Sequence, residues 1–116
     1  EVGPDRSHIW LLTEFCEGGE LFNLAASGDP LDEHQLRSCM QQLLGAVGHL
    51  HRHNIGHRDI SLENILLKEQ GDGENHQLVL MDFGQAVQLR AGGVALRYFR
   101  HCGKDTYRPP EGYVPP

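Results

Sequence analysis

Two short runs hold most of the side chains from which chemistry could be built. His57-Arg58-Asp59-Ile60-Ser61-Leu62-Glu63-Asn64 gathers an imidazole, a guanidinium, two carboxylates and an amide, and Asp82-Phe83-Gly84 adds another carboxylate. Carboxylate and amide oxygens are the hard donors that a cation such as magnesium takes. A fixed carboxylate can also accept a proton. Taken singly, each run is bland: an Asp before Phe-Gly is ordinarily a turn residue, and His-Arg-Asp ordinarily a solvated loop. Their occurrence together, in this order, is what carries weight.

The elements around them decide whether these oxygens can meet. Ile65-Leu66-Leu67 and Leu78-Val79-Leu80-Met81 read as strands, and the polar stretch 70–76 between them as a turn, which together make a hairpin. Asn64 begins the first strand and Asp82 follows the second, so a hairpin brings both to one rim, with Asp59 on the loop 55–64 beside them. Gly84 leaves the backbone free to turn directly after Asp82. Upstream, Leu36, Met40, Leu43, Val47 and Leu50 recur at spacings of four, three, four and three, one face of a helix. Asp32 with Gln35 is its N-cap pair. His49, His51 and His53 crowd its C-terminal end. His49 and His53 at i, i+4 could hold a metal, but no third ligand follows at a convincing spacing, and cationic side chains suit a helix C-terminus; the structural role is preferred.

Residues 21–27 read as a short helix stopped by Gly28-Asp29-Pro30, residues 17–20 as a turn, and the apolar stretch 9–15 as a buried strand. Beyond Gln85 no period is sustained.

Composition excludes some classes. The 116 residues carry a net charge of -6, with 39% hydrophobic and 22% charged residues. This is an ordinary globular mix, and it speaks against nucleic acid or an anionic membrane as main partners. No apolar run is long enough to span a bilayer. Three cysteines, none in a C-x-x-C pair, suit free thiols in a reducing compartment; the expected location is intracellular, cytoplasmic or nuclear.

The combination H-R-D-x-x-x-x-N, strand pair, D-F-G resembles the signature of eukaryotic-type protein kinases, and the resemblance runs the length of the chain. It implies an α+β architecture, with the end of an N-terminal lobe and hinge (1–20), helices (21–54), the catalytic and metal-binding loops (55–84) and an activation segment (85–116) that closes near Glu111. It implies ATP and Mg2+ as cofactors, a protein substrate, and phosphoryl transfer, whose catalysis is chiefly positioning and electrostatic stabilisation. By the same resemblance Asp59 orients the substrate hydroxyl and accepts its proton, Asn64 and Asp82 are the metal ligands, and His57 packs on Phe83. Arg58 would face a phosphorylated loop. The stretch Leu11-Leu12-Thr13-Glu14-Phe15-Cys16-Glu17-Gly18-Gly19-Glu20-Leu21 looks like the strand and hinge that hold adenine. Thr13 would lie at the back of that pocket, the backbone of Glu14 and Cys16 at the adenine edge, Glu20 near the ribose or a basic substrate residue, and Leu66 as the apolar floor.

Three departures stand out. Serine/threonine kinases usually carry Lys two residues after the catalytic Asp; here Ser61 stands there, although Glu63-Asn64 resembles that class. Lys104 occupies the place where that class usually has Thr, which suggests that Lys104 folds back towards Asp59 and replaces the missing cation; a solvated Lys104 is the plain alternative. Between residues 85 and 105 there is no Ser or Thr, and Tyr98 is the sole hydroxyl side chain, so no Ser/Thr phosphorylation switch is expected there. Arg90, Arg97, Arg100 and Lys104 make this segment basic. At its end, Pro109-Pro110-Glu111 replaces the usual Ala-Pro-Glu.

A working kinase also needs a Gly-rich loop, a strand Lys and the helix Glu that pairs with it, and none is present in these residues. The expectation is therefore a piece of an active kinase, inactive by itself. The competing readings are a non-catalytic binding or decoy module and, more weakly, a small-molecule kinase. The intact set Asp59, Asn64 and Asp82 favours the first. Oligomeric state is not legible.

Overall fold

The structure, a computed structural model, describes residues 8–28, 31–70, 75–89 and 102–113. Helix and sheet are mixed, as an α+β chain requires. In chain order the elements are α1 (Leu21–Ala26), α2 (Glu33–Arg52), β1 (Ile55–Gly56), β2 (Ile65–Gln70), β3 (Asn75–Leu80) and β4 (Val87–Gln88). Single 3-10 turns lie at Leu62–Asn64, Phe83–Gln85, Asp105–Tyr107 and Pro110–Gly112.

α2 begins where its sequence says it should. The Asp32 carboxylate accepts from the Gln35 amide N–H at 2.7 Å, and the Gln35 side chain accepts from the Asp32 N–H at 2.9 Å. This capping box satisfies two N–H groups that the first helical turn leaves without partners. The helix stops at Asn54, whose φ of 57° lies in the left-handed region that ends many helices. Its last turn carries His49, His51 and Arg52 against the negative end of the dipole. The His53 ring nitrogen meets the His49 carbonyl at 2.9 Å, and the two rings stand 4.4 Å apart. Among the described residues no group of three His, Cys, Asp or Glu side chains could hold a metal.

The hairpin pairs β2 with β3 antiparallel, from Ile65 opposite Leu80 to Gln70 opposite Asn75. Both strands are longer than their apolar centres, because the ladder continues through polar Lys68, Glu69, His76 and Gln77. Alternation along β2 turns Ile65 and Leu67 inward, each 2% exposed. With Leu21 they make the core, and Leu24, Leu31, Leu43, Leu62, Leu78 and Leu80 pack around it. β1 and β4 form a second two-stranded sheet, Ile55 opposite Gln88 and Gly56 opposite Val87. It closes the base of the loop that carries Asp59.

Gln42 fastens α2 to the hairpin. Its amide nitrogen donates to the His76 carbonyl at 3.1 Å and its oxygen accepts from the Leu78 N–H at 2.9 Å. The side chain thus imitates a neighbouring strand along the outer edge of β3.

Two expectations fail here. Residues 9–15 belong to neither sheet and are not buried: Ile9, Leu11, Leu12 and Phe15 are 88%, 87%, 99% and 79% exposed. A strand needs neighbours for its N–H and C=O groups and a layer for its side chains, and neither two-stranded sheet takes this stretch in. The predicted apolar face of α2 is also only partly covered. Leu43 reaches the core and Val47 and Leu50 are half-buried, but Leu36 and Met40 are 53% and 55% exposed. Among the described residues no helix is long and apolar enough to cross a membrane.

Candidate active site

The hairpin's open end assembles the site. The Met81 N–H donates to the Asn64 carbonyl at 3.0 Å, one step past the Ile65–Leu80 pair. That bond holds Asn64 and Asp82 at the same end of the two strands. His57 ties in the loop ahead of them. This imidazole is 3% exposed; its Nε2 meets the Met81 carbonyl at 3.0 Å, and its Nδ1 accepts from the Asp59 N–H at 3.3 Å. The pattern assigns the ring proton to Nε2. Phe83 packs edge-on against the ring at 4.9 Å. The expected His57–Phe83 packing is thus present, and it joins the two loops.

Asp59 is 8% exposed. The Asn64 amide nitrogen donates both to its carbonyl, at 2.8 Å, and to its carboxylate Oδ2, at 3.1 Å. The other carboxylate oxygen, Oδ1, is buried with no hydrogen-bond partner. A buried acceptor without a donor is costly. Its persistence here leaves an open acceptor in a fixed position.

Because Asn64 spends its nitrogen on Asp59, its amide oxygen lies on the opposite side of the group. Asp82 is exposed and accepts from the Gly84 N–H at 3.0 Å. One amide oxygen and one solvent-facing carboxylate at the same rim are the hard, oxygen-only donor set that Mg2+ takes. The residues present therefore fit that ion.

Backbone strain gathers at the site. Arg58 and Asp82 have φ of 70° and 60°, in the left-handed region. Non-glycine residues pay about 1–2 kcal/mol there, and Asp and Asn tolerate it best. Asp82→Ala is accordingly expected to lose both the carboxylate and about 1 kcal/mol of stability, whereas Asp82→Asn keeps the stability. Thermal melts of the two variants check this; equal melting temperatures would contradict it.

A second segment reaches the catalytic loop from the far end of the chain. Gly103 has φ of 75°, and a Cβ there would lie 3.0 Å from the Arg58 carbonyl. The close approach and the angle both require glycine. Lys104 donates to the Ser61 hydroxyl at 2.7 Å and pairs with Glu63 at 3.1 Å. A backbone hydrogen bond, the Ser61 hydroxyl and Lys104 hold the Glu63 carboxyl below its ordinary range. Among the described residues no ion pair joins Lys104 to Asp59 itself, so the fold-back predicted from sequence ends on the residues two and four places beyond Asp59. Arg108 braces the segment. Its guanidinium donates to the Cys102 and Gly103 carbonyls, each at 3.1 Å, pairs with Asp105 at 2.9 Å and lies over the Tyr113 ring at 4.9 Å. An Arg three residues after an Asp and beside a Pro pair was the available signal for it. Arg90, Arg97, Tyr98 and Arg100 lie outside the described residues, as does the Glu111 side chain.

The Gly-Gly turn docks onto β2. Gly18 donates to the Leu67 carbonyl at 2.9 Å, and Leu67 donates to Gly19 at 2.8 Å. A Cβ on Gly18 would fall 2.7 Å from the Leu67 side chain, and Gly19 has φ of 68°. Each glycine is thus needed for a different reason. Cys16 is buried, and Glu20 bridges Leu66 directly. Of the residues predicted to line a pocket, Glu20 and Leu66 are thus neighbours on adjacent backbone. Thr13 and Glu14 are exposed. Glu14 pairs with Lys68 at 2.7 Å, which raises the Lys68 pKa. An open depression of about 290 Å3 lies behind the hairpin, between Glu14, Ala46, Leu50, Leu78 and Phe83, and Asp59, Asn64 and Asp82 do not line it.

The hairpin thus holds a buried acceptor carboxylate, an amide oxygen and a second carboxylate at one end, with a Gly-Gly turn docked on β2. Residues 1–113 match the family description "Protein kinase domain", and the chain belongs to that family. It is 39% identical over 114 residues to CBL-interacting protein kinase 16 of Oryza sativa subsp. japonica, covering 96% of this chain and 23% of the relative. To the maternal embryonic leucine zipper kinase of Danio rerio it is 34% identical over 105 residues, 90% of this chain and 15% of the relative. To the hormonally up-regulated neu tumor-associated kinase homolog B of Xenopus laevis it is 36% identical over 111 residues, 96% and 17%. The chain thus spans less than a quarter of each of these relatives.

Proposed function

We propose that this chain supplies the hinge, the catalytic and metal-binding loops and the substrate-facing segment of an ATP-dependent protein kinase that phosphorylates Ser and Thr hydroxyls. One observation carries the reading: Asp59 is buried, held by Asn64 through one carboxylate oxygen, and leaves the other with no donor. A base must stand within hydrogen-bond reach of the proton that it takes, and an unoccupied, immobilised oxygen meets that need. Asn64 and Asp82 would hold Mg2+, which when bound offsets charge on the nucleotide phosphates. Arg58 stays assigned to the face that receives the activation segment, and Lys104 to the catalytic group. Glu20 and Leu66 line the nucleotide slot with Cys16 and the backbone of Glu14, and Thr13 closes its back. In this reading residues 1–20 end the small lobe, 21–54 are helices of the large lobe, 55–84 carry the chemistry and 85–116 face the substrate. The pattern Glu63-Asn64 supports Ser/Thr over Tyr specificity, and the free cysteines Cys16, Cys39 and Cys102 support an intracellular setting.

The natural gene product that encodes this segment tests the reading. Given ATP, Mg2+ and peptide pools with Ser, Thr or Tyr as the sole hydroxyl, it is expected to label the Ser and Thr pools. The isolated segment is expected to label none, because Thr13 and its neighbours face solvent. Nucleotide binding without transfer to any pool would replace this reading with a non-catalytic binding module, and labelling confined to Tyr would overturn the specificity.

A further inference from the structure

We infer that Lys104 supplies the cation facing the transferred phosphoryl group, and that Ser61 and Glu63 hold it in place from the catalytic loop; this rests on the proposed phosphotransfer reading. The position two residues after Asp59 carries a hydroxyl, not an ammonium. The Lys104 ammonium meets that hydroxyl at 2.7 Å. Ser61 is 1% exposed, so the ammonium reaches a hydroxyl buried in the loop, unlike a merely solvated lysine. Glu63 holds the same ammonium at 3.1 Å, and the two side chains remain 39% and 34% exposed, open to an incoming anion on one side.

The backbone placement is equally specific. Gly103 brings the segment against the Arg58 carbonyl, and a Cβ there would lie 3.9 Å from the open Asp59 Oδ1. Arg108 then fixes the carbonyls of Cys102 and Gly103, just before Lys104. Charge gives the arrangement its purpose. Asp59, Glu63 and Asp82 put three carboxylates around a site meant for a polyanion, and a fixed cation aimed where charge develops offsets their repulsion.

In the step itself the substrate hydroxyl oxygen bonds to the γ-phosphorus as the bond to the β,γ-bridging oxygen breaks. That bond's electron pair leaves with ADP, and the hydroxyl proton passes to Asp59. Lys104 neither gives nor takes a proton.

A reciprocal swap in the natural gene product tests the assignment. Lys104→Met, which keeps the stem and removes the charge, is expected to lower kcat about a hundredfold with the KM for ATP changed less than about threefold. Lys104→Thr should behave alike, and Ser61→Lys/Lys104→Thr, which returns the cation to the loop, should recover kcat to within about fivefold of the parent. Melting temperature and ADP binding, read in parallel, separate loss of charge from loss of fold. An active parent whose Lys104→Met variant keeps its kcat overturns this inference alone. So does a loss that the double variant leaves unrepaired while melting temperature and ADP binding match the parent. A parent that labels no peptide fails the broader reading and takes this one with it.

Discussion

Asp59→Asn is expected to leave the protein folded and to lower phosphoryl transfer by about 10²–10⁴-fold, the usual worth of a positioned proton acceptor. The substitution is close to isosteric. Its carbonyl oxygen can take over the Oδ2 role and accept from Asn64, so the loop keeps the contact that now measures 3.1 Å. What changes is the open position: an amide nitrogen would replace the unpartnered Oδ1 and cannot accept a proton. The melting temperature should therefore stay close to the parent's while kcat falls and nucleotide binding is little affected. Asp59→Ala is a poorer probe, because it removes one of the two acceptors of the buried Asn64 amide nitrogen and costs about 1–3 kcal/mol of its own. Retention of more than a third of the parent rate by Asp59→Asn would remove Asp59 from the proposed role.

The largest effect on stability is expected at Leu67. This side chain is 2% exposed, belongs to the three-residue buried core, and supports the glycine turn through two backbone bonds. Leu67→Ala should cost about 2–5 kcal/mol, the transfer term plus the cavity left behind. In a core of this size little else can move in to fill the space. The same change at Leu12, 99% exposed, or at Leu36, 53% exposed, should cost far less. Chemical denaturation of the three variants orders them. A Leu67→Ala cost no greater than that of Leu36→Ala would mean that the hairpin's inner face is not what holds this chain together.

The contrast between Leu67 and Leu12 shows where sequence reading succeeds and where it stops. Both sit in short apolar runs, and both runs read as strands. The Leu67 run has its partner a few residues downstream, so the hairpin could be seen by scanning one stretch of chain. Residues 9–15 have no such local partner, and burial is a property of what packs against a segment, not of the segment itself. Likewise the capping box at Asp32 and Gln35 was legible because its two halves lie three residues apart. The clamp from Gln42 to His76 and Leu78 was not, since its partners lie 34 and 36 residues away.

The site divides along the same line. Sequence alone determined which groups could do chemistry, Asp59, Asn64 and Asp82, and that a hairpin would bring them to one end. It also showed that a cation was missing at position 61 and present at 104. It left open how Asp59 is held, which of its oxygens stays free, and where the Lys104 ammonium lands. The fold settled these by laying Asn64 across Asp59 and by seating Gly103 against the Arg58 carbonyl, which directs Lys104 onto Ser61 and Glu63. Residue type and local period are carried by neighbours in the chain. The direction of a side chain is set by contacts across 43 residues in the case of Lys104 and Ser61, and only the folded chain brings such groups together.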